Sequence, residues 1–375
     1  MHKLLIAGLV LLLANSCKHR PGSENSFATN DTTFTINGTI AGLDTGAIIF
    51  IHRVDDNKVY DTVAVNKGAF QYSGKIPAAE VVSAYTCFVE GKDDLRADFL
   101  VENTKILLTA KLDSFDNAVI SGSAAQTDFN AFKILTRPFD EKLNALEIAF
   151  KATKDKTVMD SIDNAYDALD SVRQGLVPKF VKEHQKSIAS AYIITRTLLI
   201  QPKLAVIEPV FNSLDSAVKQ SKFGKIIEEA LAAIKRTSVG EIAPDFTMSD
   251  TTGKPVALAS FKGKIIFLDF WASWCGPCRR ENPNIVAAYA KFHSAKFDIL
   301  GVSLDTKKDK WVEAIAKDKL AWNHVSDLKG WGNAAGKTYG IRSIPANLLL
   351  DKDGKILARN LYGAELEKKL TEVLK

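Results

Sequence analysis

The sequence of 375 residues predicts an α/β domain at its C-terminal end, preceded by a β-sandwich-like domain and a helical segment. Three observations predict this order. Short strand-like runs fill residues 33–123, apolar residues recur at helical spacing over residues 124–236, and an apolar strand followed by a helix lies within residues 237–375. At about 150 residues for each domain, a chain of this length has room for two or three domains.

The composition is that of a globular protein and excludes several function classes. Hydrophobic residues make up 46% of the sequence and charged residues 25%, which excludes wholesale disorder. Four cysteines are too few for a disulfide-dense scaffold. The net charge of +5 arises from 49 basic and 44 acidic residues without a dense basic block, so we expect no nucleic-acid partner.

The N-terminal region predicts a targeting signal and a tether. Lys3 precedes an apolar run, Leu4 to Ala14, which is too short to span a bilayer and is typical of a signal peptide. Small residues then lead to Cys17, which resembles the lipobox of bacterial lipoproteins, where the signal (here 1–16) is cleaved and the cysteine is acylated. With a polar, flexible tether over residues 17–32, this resemblance implies a lipid-anchored protein of the cell envelope that faces the periplasm. Ordinary cleavage nearby, with an incidental free thiol, is the alternative.

Residues 33–123 show the rhythm of an all-β domain. Five runs are strand-like: Phe34–Ile36, Ala47–Ile51, Ala69–Tyr72, Val81–Val89 and Lys105–Leu108. Turn signals such as Asn37-Gly38 and Lys67-Gly68 separate them. Short strands at this spacing predict a β-sandwich or a small barrel.

Residues 124–236 change to a helical period. Two apolar stripes share this spacing, Phe139, Leu143, Leu146 and Phe150 in the first, and Ile162, Tyr166, Leu169, Val172 and Leu176 in the second. We interpret both stripes as packing faces and assign them no cofactor.

The chemistry of the chain is concentrated at Trp274-Cys275-Gly276-Pro277-Cys278. The apolar run Lys264 to Leu268 predicts a buried strand before it, and a helical pattern follows it. A helix N-terminus carries about half a positive charge and free N–H donors, which stabilise a thiolate and lower the pKa of a cysteine from its ordinary value of about 8.5. We therefore expect Cys275 to be an exposed nucleophile and Cys278, one turn further, to be the resolving cysteine.

Other interpretations of the two cysteines fit less well. A zinc site needs two more ligands, yet the remaining cysteines are Cys17 and Cys87 and no paired histidine motif is present, so we expect no metal. A static disulfide does not require a position between a strand and a helix. A peroxiredoxin-type cysteine would have proline seven residues and threonine three residues upstream, where this chain has Leu268 and Ala272. A redox-active dithiol is the prediction.

Four segments around the motif carry a family resemblance: Ala243–Phe246, Phe261–Lys264, Asp269–Cys278 and Tyr339–Pro345. Together they resemble the thioredoxin superfamily, in particular the membrane-tethered TlpA/ResA-type thiol–disulfide oxidoreductases, over residues 244–375. The resemblance implies a thioredoxin-like fold, with a central mixed sheet flanked by helices, and no cofactor. Residues 33–123 resemble a domain of unknown function that precedes thioredoxin domains in bacterial envelope lipoproteins.

The resemblance also assigns roles to two acidic residues. Asp269 interrupts an apolar strand, where a buried carboxylate is costly, and the resemblance implies that it accepts the proton of Cys278, with desolvation raising its pKa. The alternative is a strand residue that faces outward. Glu281 is three residues after Cys278, and the resemblance implies that it tunes the cysteines, although an acid near a helix start is also favourable by itself.

Substrate contacts are implied for three further residues. A cis proline that faces the dithiol and offers backbone for substrate pairing is expected at Pro345, after Ile344; the alternative is a trans proline that opens a strand. Trp274 offers a flat apolar surface beside Cys275 for an extended peptide, or serves packing alone.

The dipeptide Gly276-Pro277 resembles that of thioredoxin, a reductant with a potential of about −270 mV. It implies an envelope reductase whose substrates are disulfides of extracytoplasmic proteins, with apocytochrome c as one candidate. Because that compartment is oxidising, we expect a membrane thiol donor to supply the electrons. The alternatives are a thiol peroxidase, or an envelope binding module in which the redox domain is secondary.

Overall fold

The computed structural model describes residues 33–54, 61–76, 80, 82–294 and 296–375. The predicted signal peptide, the tether and Cys17 lie outside the described residues. No helix in the described part of the chain has the length and apolar character needed to cross a membrane.

Eight strands form two four-stranded sheets at the N-terminal end of the described chain. They are β1 (Phe34–Ala41), β2 (Ile48–Arg53), β3 (Asp61–Ala64), β4 (Ala69–Gly74), β5 (Ser83–Val89), β6 (Lys92–Val101), β7 (Lys105–Lys111) and β8 (Val119–Ser121). The sheet orders are β4-β1-β7-β8 and β3-β2-β5-β6. Phe34, Phe99 and Ile106 belong to the hydrophobic core of these strands. The predicted β-rich domain is confirmed. The sequence did not predict β3, β6 and β8. Strand β6 escaped prediction because it opens with charged residues and forms by pairing with β5.

Seven helices follow the sheets. They are α1 (Ala124–Ala152), α2 (Lys156–Gln174), α3 (Leu176–Glu183), α4 (Ile188–Thr197), α5 (Leu204–Asn212), α6 (Ser216–Gln220) and α7 (Lys222–Arg236). Helix α1 begins where the Ser123 hydroxyl accepts a hydrogen bond from Gln126 N at 2.9 Å, a typical N-cap. The core of these helices includes Ala84 from β5, Leu100 from β6 and Val82 just before β5, so the helices pack on the second sheet.

The second apolar stripe of the helical segment does not pack as predicted. Helix α2 contains no buried residue, and Tyr166 and Val172 are 36% and 56% exposed. The reason is its position in a hairpin with α1, because a helix that packs mainly against one partner can bury only part of an apolar stripe.

The C-terminal domain holds a seven-stranded mixed sheet. Its strands are β9 (Thr247–Asp250), β10 (Pro255–Ala257), β11 (Ile265–Trp271), β12 (Phe297–Ser303), β13 (Asn323–Ser326), β14 (Ala346–Leu350) and β15 (Ile356–Arg359), and its helices are α8 (Gly276–Phe292), α9 (Lys308–Lys317), α10 (Ala334–Thr338) and α11 (Gly363–Val373). The order is β10-β9-β13-β12-β11-β14-β15, with β11 parallel to β12 and antiparallel to β14. The predicted mixed sheet flanked by helices, a thioredoxin-like fold, is confirmed.

Candidate active site

The two cysteines lie where β11 gives way to α8. The Sγ atoms of Cys275 and Cys278 are 2.01 Å apart, so the structure holds the disulfide. Cys275 has extended backbone and caps the helix, and its Sγ accepts a hydrogen bond from Cys278 N at 3.1 Å. A backbone donor of the first helical turn therefore points at the sulfur of Cys275, where it can stabilise negative charge.

The prediction that Cys275 is exposed is wrong for the disulfide form. Cys275 is only 4% exposed and Cys278 2%. The exposure is low because the two bonded sulfurs cover part of each other and because Cys275 Sγ faces the first turn of α8. The exposed surface at this point belongs to Trp274, Gly276 and Pro277.

The loop that carries the motif is fixed from two sides. Asp305 accepts hydrogen bonds from Ser273 N at 2.9 Å and from Ser273 Oγ at 2.5 Å. Arg279 donates to Ser273 O at 3.0 Å and pairs with Asp318. Sequence reasoning missed Asp305. A signal for this residue exists, because it is a carboxylate shortly after β12, and β12 lies parallel to β11 and ends at the same edge of the sheet.

Asp269 lies within β11 and is 3% exposed. Its pKa is raised from 3.8 to about 7, mainly because burial removes water from the carboxylate, and secondarily because of the negative charge of Glu281. The expected burial of this residue is therefore observed. A carboxyl group with this pKa can exchange a proton near neutrality.

Glu281 links α8 to the start of α11. Its Oε1 accepts a hydrogen bond from Gly363 N at 2.7 Å, and its Oε2 accepts one from Asn284 Nδ2 at 2.9 Å. The residue thus has a structural contact in addition to its electrostatic effect on Asp269. Both interpretations of Glu281 are compatible with this geometry.

Pro345 lies at the same end of the sheet as the disulfide. The Ile344–Pro345 peptide bond is cis, as the family resemblance implies. Ala346, the first residue of β14, pairs with Phe270 near the end of β11, so the preceding proline lies beside the strand end that leads to the cysteines. The side chain of Ile344 packs partly buried against the domain core.

Tyr362 is a site residue that sequence reasoning missed. Its hydroxyl donates a hydrogen bond to Pro345 O at 2.8 Å. Burial, followed by the charges of Asp269 and Glu281, raises the pKa of the Tyr362 hydroxyl above its usual range. No sequence pattern connects position 362 with Pro345, because the contact depends on how α11 docks against the sheet.

The structure thus brings together at one end of the sheet a disulfide on a helix N-terminus, a buried carboxyl group and a cis proline. This arrangement suits thiol–disulfide exchange, which needs a stabilised thiolate and a proton acceptor. Among the described residues, no group of three or more His, Cys, Asp or Glu side chains is arranged to hold a metal ion.

Comparisons with known proteins agree with this chemistry. Residues 239–359 match the AhpC/TSA family, and residues 34–129 match a domain of unknown function, DUF4369. The thiol–disulfide oxidoreductase ResA of Bacillus thuringiensis subsp. konkukian is 32% identical over 141 residues, which are 38% of this chain and 79% of that protein. ResA of Bacillus subtilis is 30% identical over 135 residues, 36% of this chain and 74% of that protein.

A solved thiol–disulfide oxidoreductase from Bacteroides fragilis is 36% identical and covers 35% of this chain and 98% of its own, with a TM-score of 0.34. The sequence identity to ResA extends over most of the length of those enzymes. Through its C-terminal domain, this chain belongs to the ResA-type thiol–disulfide oxidoreductase family and is an enzyme of that class.

Proposed function

We propose that this enzyme reduces disulfides of extracytoplasmic proteins through attack by Cys275 and resolution by Cys278. The observation that carries the proposal is the disulfide at the N-terminus of α8, with Cys278 N directed at Cys275 Sγ. A helix start of this kind favours the thiolate of the first cysteine once the pair is reduced.

The reaction takes two exchange steps. The Cys275 thiolate attacks one sulfur of the substrate disulfide, the first substrate thiolate leaves, and a mixed disulfide forms. Cys278 gives its proton to Asp269, and its thiolate attacks Cys275 Sγ. The Cys275–Cys278 disulfide forms, the second substrate thiolate leaves and takes up a proton, and two electrons have passed from enzyme to substrate.

Asp269 is suited to the proton-accepting role. Its pKa of about 7 leaves the carboxylate substantially deprotonated at neutral pH, yet basic enough to take a proton from a thiol. Glu281 contributes by raising that pKa, and so acts on the cysteines through Asp269.

Substrate binding is assigned to Trp274, Ile344 and Pro345. Trp274 is 54% exposed directly before Cys275, and this exposed ring supports its assignment as a side chain that contacts substrate. Pro345 directly precedes β14, whose first residue pairs with Phe270 near the end of β11, and we assign the backbone before β14 to pairing with an extended substrate strand.

The direction of electron flow is inferred from Gly276-Pro277. This dipeptide resembles that of thioredoxin, a reductant of about −270 mV. Measurement of the Cys275–Cys278 potential in a dithiothreitol or glutathione redox buffer tests the inference. A value close to that of thioredoxin supports a reductase, and a value near −120 mV, typical of a strong disulfide oxidant, would overturn it.

A peroxidase role has no support at the positions upstream of Cys275. Leu268 and Ala272 lie on β11 and just after it, where a peroxidatic cysteine would require proline and threonine. Peroxide consumption by the reduced enzyme should therefore be negligible beside its disulfide reduction.

We assign the enzyme to the cell envelope, anchored through Cys17, with a membrane thiol donor as its source of electrons. The apolar run before Cys17 and the reductase assignment support this location. Cys278→Ala in cells should trap mixed disulfides with clients, which mass spectrometry identifies. Apocytochrome c or another extracytoplasmic protein among them supports the assignment, whereas cytoplasmic clients alone would overturn it.

A further inference from the structure

Two tryptophans of the C-terminal domain lie exposed next to each other, and one of them directly precedes Cys275. Trp274 and Trp331 are 54% and 51% exposed, and their ring centroids are 6.0 Å apart. The other three tryptophans of the sequence, Trp271, Trp311 and Trp322, are at most 8% exposed. Adjacent large aromatic side chains left in water are typical of a surface that binds a partner.

The loops that carry the two rings are held by one buried hydrogen-bond network. Asp305 binds Ser273, the neighbour of Trp274, and accepts a further bond from Ser303 Oγ at 2.7 Å. Ser303 O in turn accepts bonds from Ser326 Oγ at 2.8 Å and from Asn333 Nδ2 at 3.4 Å. Asp305, Ser303 and Asn333 are all 1% exposed or less, so the end of β12 holds both loops rigidly.

Trp331 owes its outward position to the residues around it. It lies in a single 3-10 turn between Gly330 and Gly332, and Gly330 has a φ of +56°. A Cβ at Gly330 would lie 3.0 Å from Thr306 Cγ2, so the turn packs closely on the chain after β12. Asn333 follows at once and caps α10 through a bond from Gly336 N at 2.8 Å. The indole therefore projects from a fixed turn.

The surface continues from Trp331 toward the cis proline. Trp331 lines a cavity of about 410 Å³ with Glu229 and Ala233 of α7 and with Ile341 and Arg342, which precede Pro345 in the chain. One wall of this cavity thus comes from the helical segment. The surface therefore runs from Trp274 past Trp331 to Ile341 and Arg342. Ile344 and Pro345, which are assigned to substrate contact, follow Arg342 closely in the chain.

We infer that Trp331 is a specificity residue: with Trp274 it binds an aromatic or aliphatic side chain that lies close to the half-cystine of a substrate polypeptide. The inference rests on the proposed reduction of polypeptide disulfides. An apolar side chain fits this surface because it and the two exposed rings all lose contact with water when they pack together, and because Trp274 directly precedes Cys275. A small disulfide without neighbouring side chains gains nothing from Trp331.

The test uses the full chain, reduced, and two peptides whose single cysteine is linked to thionitrobenzoate. The peptides differ only in having Phe or Ser next to the cysteine, and release of the chromophore gives the second-order rate constant. Wild type should favour the Phe peptide. Trp331→Ala should slow the Phe peptide about three- to tenfold and leave the Ser peptide within about twofold, and Trp331→Phe should recover most of the loss.

Val312→Ala is the matched control, because Val312 is an exposed apolar residue of α9 in the same domain. It should change neither rate constant. The specificity role is overturned if Trp331→Ala lowers the rate constants of both peptides equally, or if it lowers neither. If wild type reacts with neither peptide, the proposed function itself fails, whereas equal rates with both peptides defeat the specificity inference alone.

Discussion

Cys87 and Cys275 are both buried, yet their surroundings predict opposite chemistry. Cys87 lies in the middle of β5 with no exposed surface, and burial followed by the charge of Asp98 raises the pKa of its thiol to about 12. Cys275 lies at a strand-to-helix junction, where Cys278 N is directed at its sulfur. The difference teaches that a buried cysteine at a helix N-terminus, unlike one inside a strand, lies where its thiolate is stabilised.

The largest effect expected from this contrast is on turnover. Cys275→Ser should abolish reduction of insulin disulfides, by at least about 1000-fold, because the first exchange step is assigned to the Cys275 thiolate. Cys87→Ser should leave turnover within about twofold, since that thiol remains protonated. Turnover is measured with dithiothreitol as electron source, and substantial activity in Cys275→Ser would contradict the assignment.

Asp269→Asn should have the next largest effect. Loss of the proposed proton acceptor should slow turnover on the order of 100-fold at pH 7. The wild-type rate should rise with pH through about 7 as Asp269 loses its proton, and this rise should vanish in the variant. The control is Asp298→Asn, which removes another buried carboxylate, one that pairs with Lys264.

Asp298→Asn should keep the rise in rate near pH 7, whatever its effect on stability. If Asp269→Asn also keeps that rise, the proton passes to another group and the role of Asp269 is refuted.

The same carboxyl group should make the disulfide form less stable at higher pH. Between pH 3.8 and about 7 the folded state holds a proton that the unfolded state has lost, so the free energy of unfolding falls as pH rises. Asp269→Asn should remove this fall, a difference of up to about 4 kcal/mol between pH 4 and pH 8.

Urea unfolding followed by tryptophan fluorescence measures this difference in the intact chain. All five tryptophans lie within residues 271–331, so the signal reports on the C-terminal domain alone. Parallel stability curves for wild type and variant would mean that Asp269 is not desolvated.

The smallest effect should come from Glu281→Gln. Removing this charge lowers the pKa of Asp269, so the midpoint of the rate profile should move to lower pH by less than about one unit. Glu365→Gln, which removes an exposed acid from the first turn of α11, serves as the control and should leave the midpoint unchanged. If the midpoint stays the same or rises in Glu281→Gln, the charge of Glu281 does not raise the pKa of Asp269. The contact with Gly363 N would then be the role that remains for Glu281.

Local patterns made much of the site predictable. The apolar run before the cysteines and the helical spacing after them correctly predicted β11 and α8, and the resemblance correctly implied the cis bond before Pro345. Asp269 could be recognised because a single charge within an apolar strand is unusual.

What the sequence could not predict depends on tertiary contacts. Tyr362 reaches Pro345, and Asp305 reaches Ser273, only after distant elements dock. Trp331 carried a local signal, a tryptophan between two glycines, but its approach to Trp274 is a tertiary contact. The exposed stripe of α2 was misjudged because periodicity shows that a helix has an apolar face and does not show what covers it.

The most direct test is the rate of alkylation of each cysteine in the reduced, full-length protein at pH 7. Iodoacetamide labelling followed by peptide mass spectrometry resolves Cys275, Cys278 and Cys87 in one sample. Cys275 should be labelled at least about 100-fold faster than Cys87, with Cys278 also slow, because only the sulfur of Cys275 caps the helix that follows it, where a thiolate is stabilised. Labelling of Cys275 no faster than that of Cys87 would contradict the account.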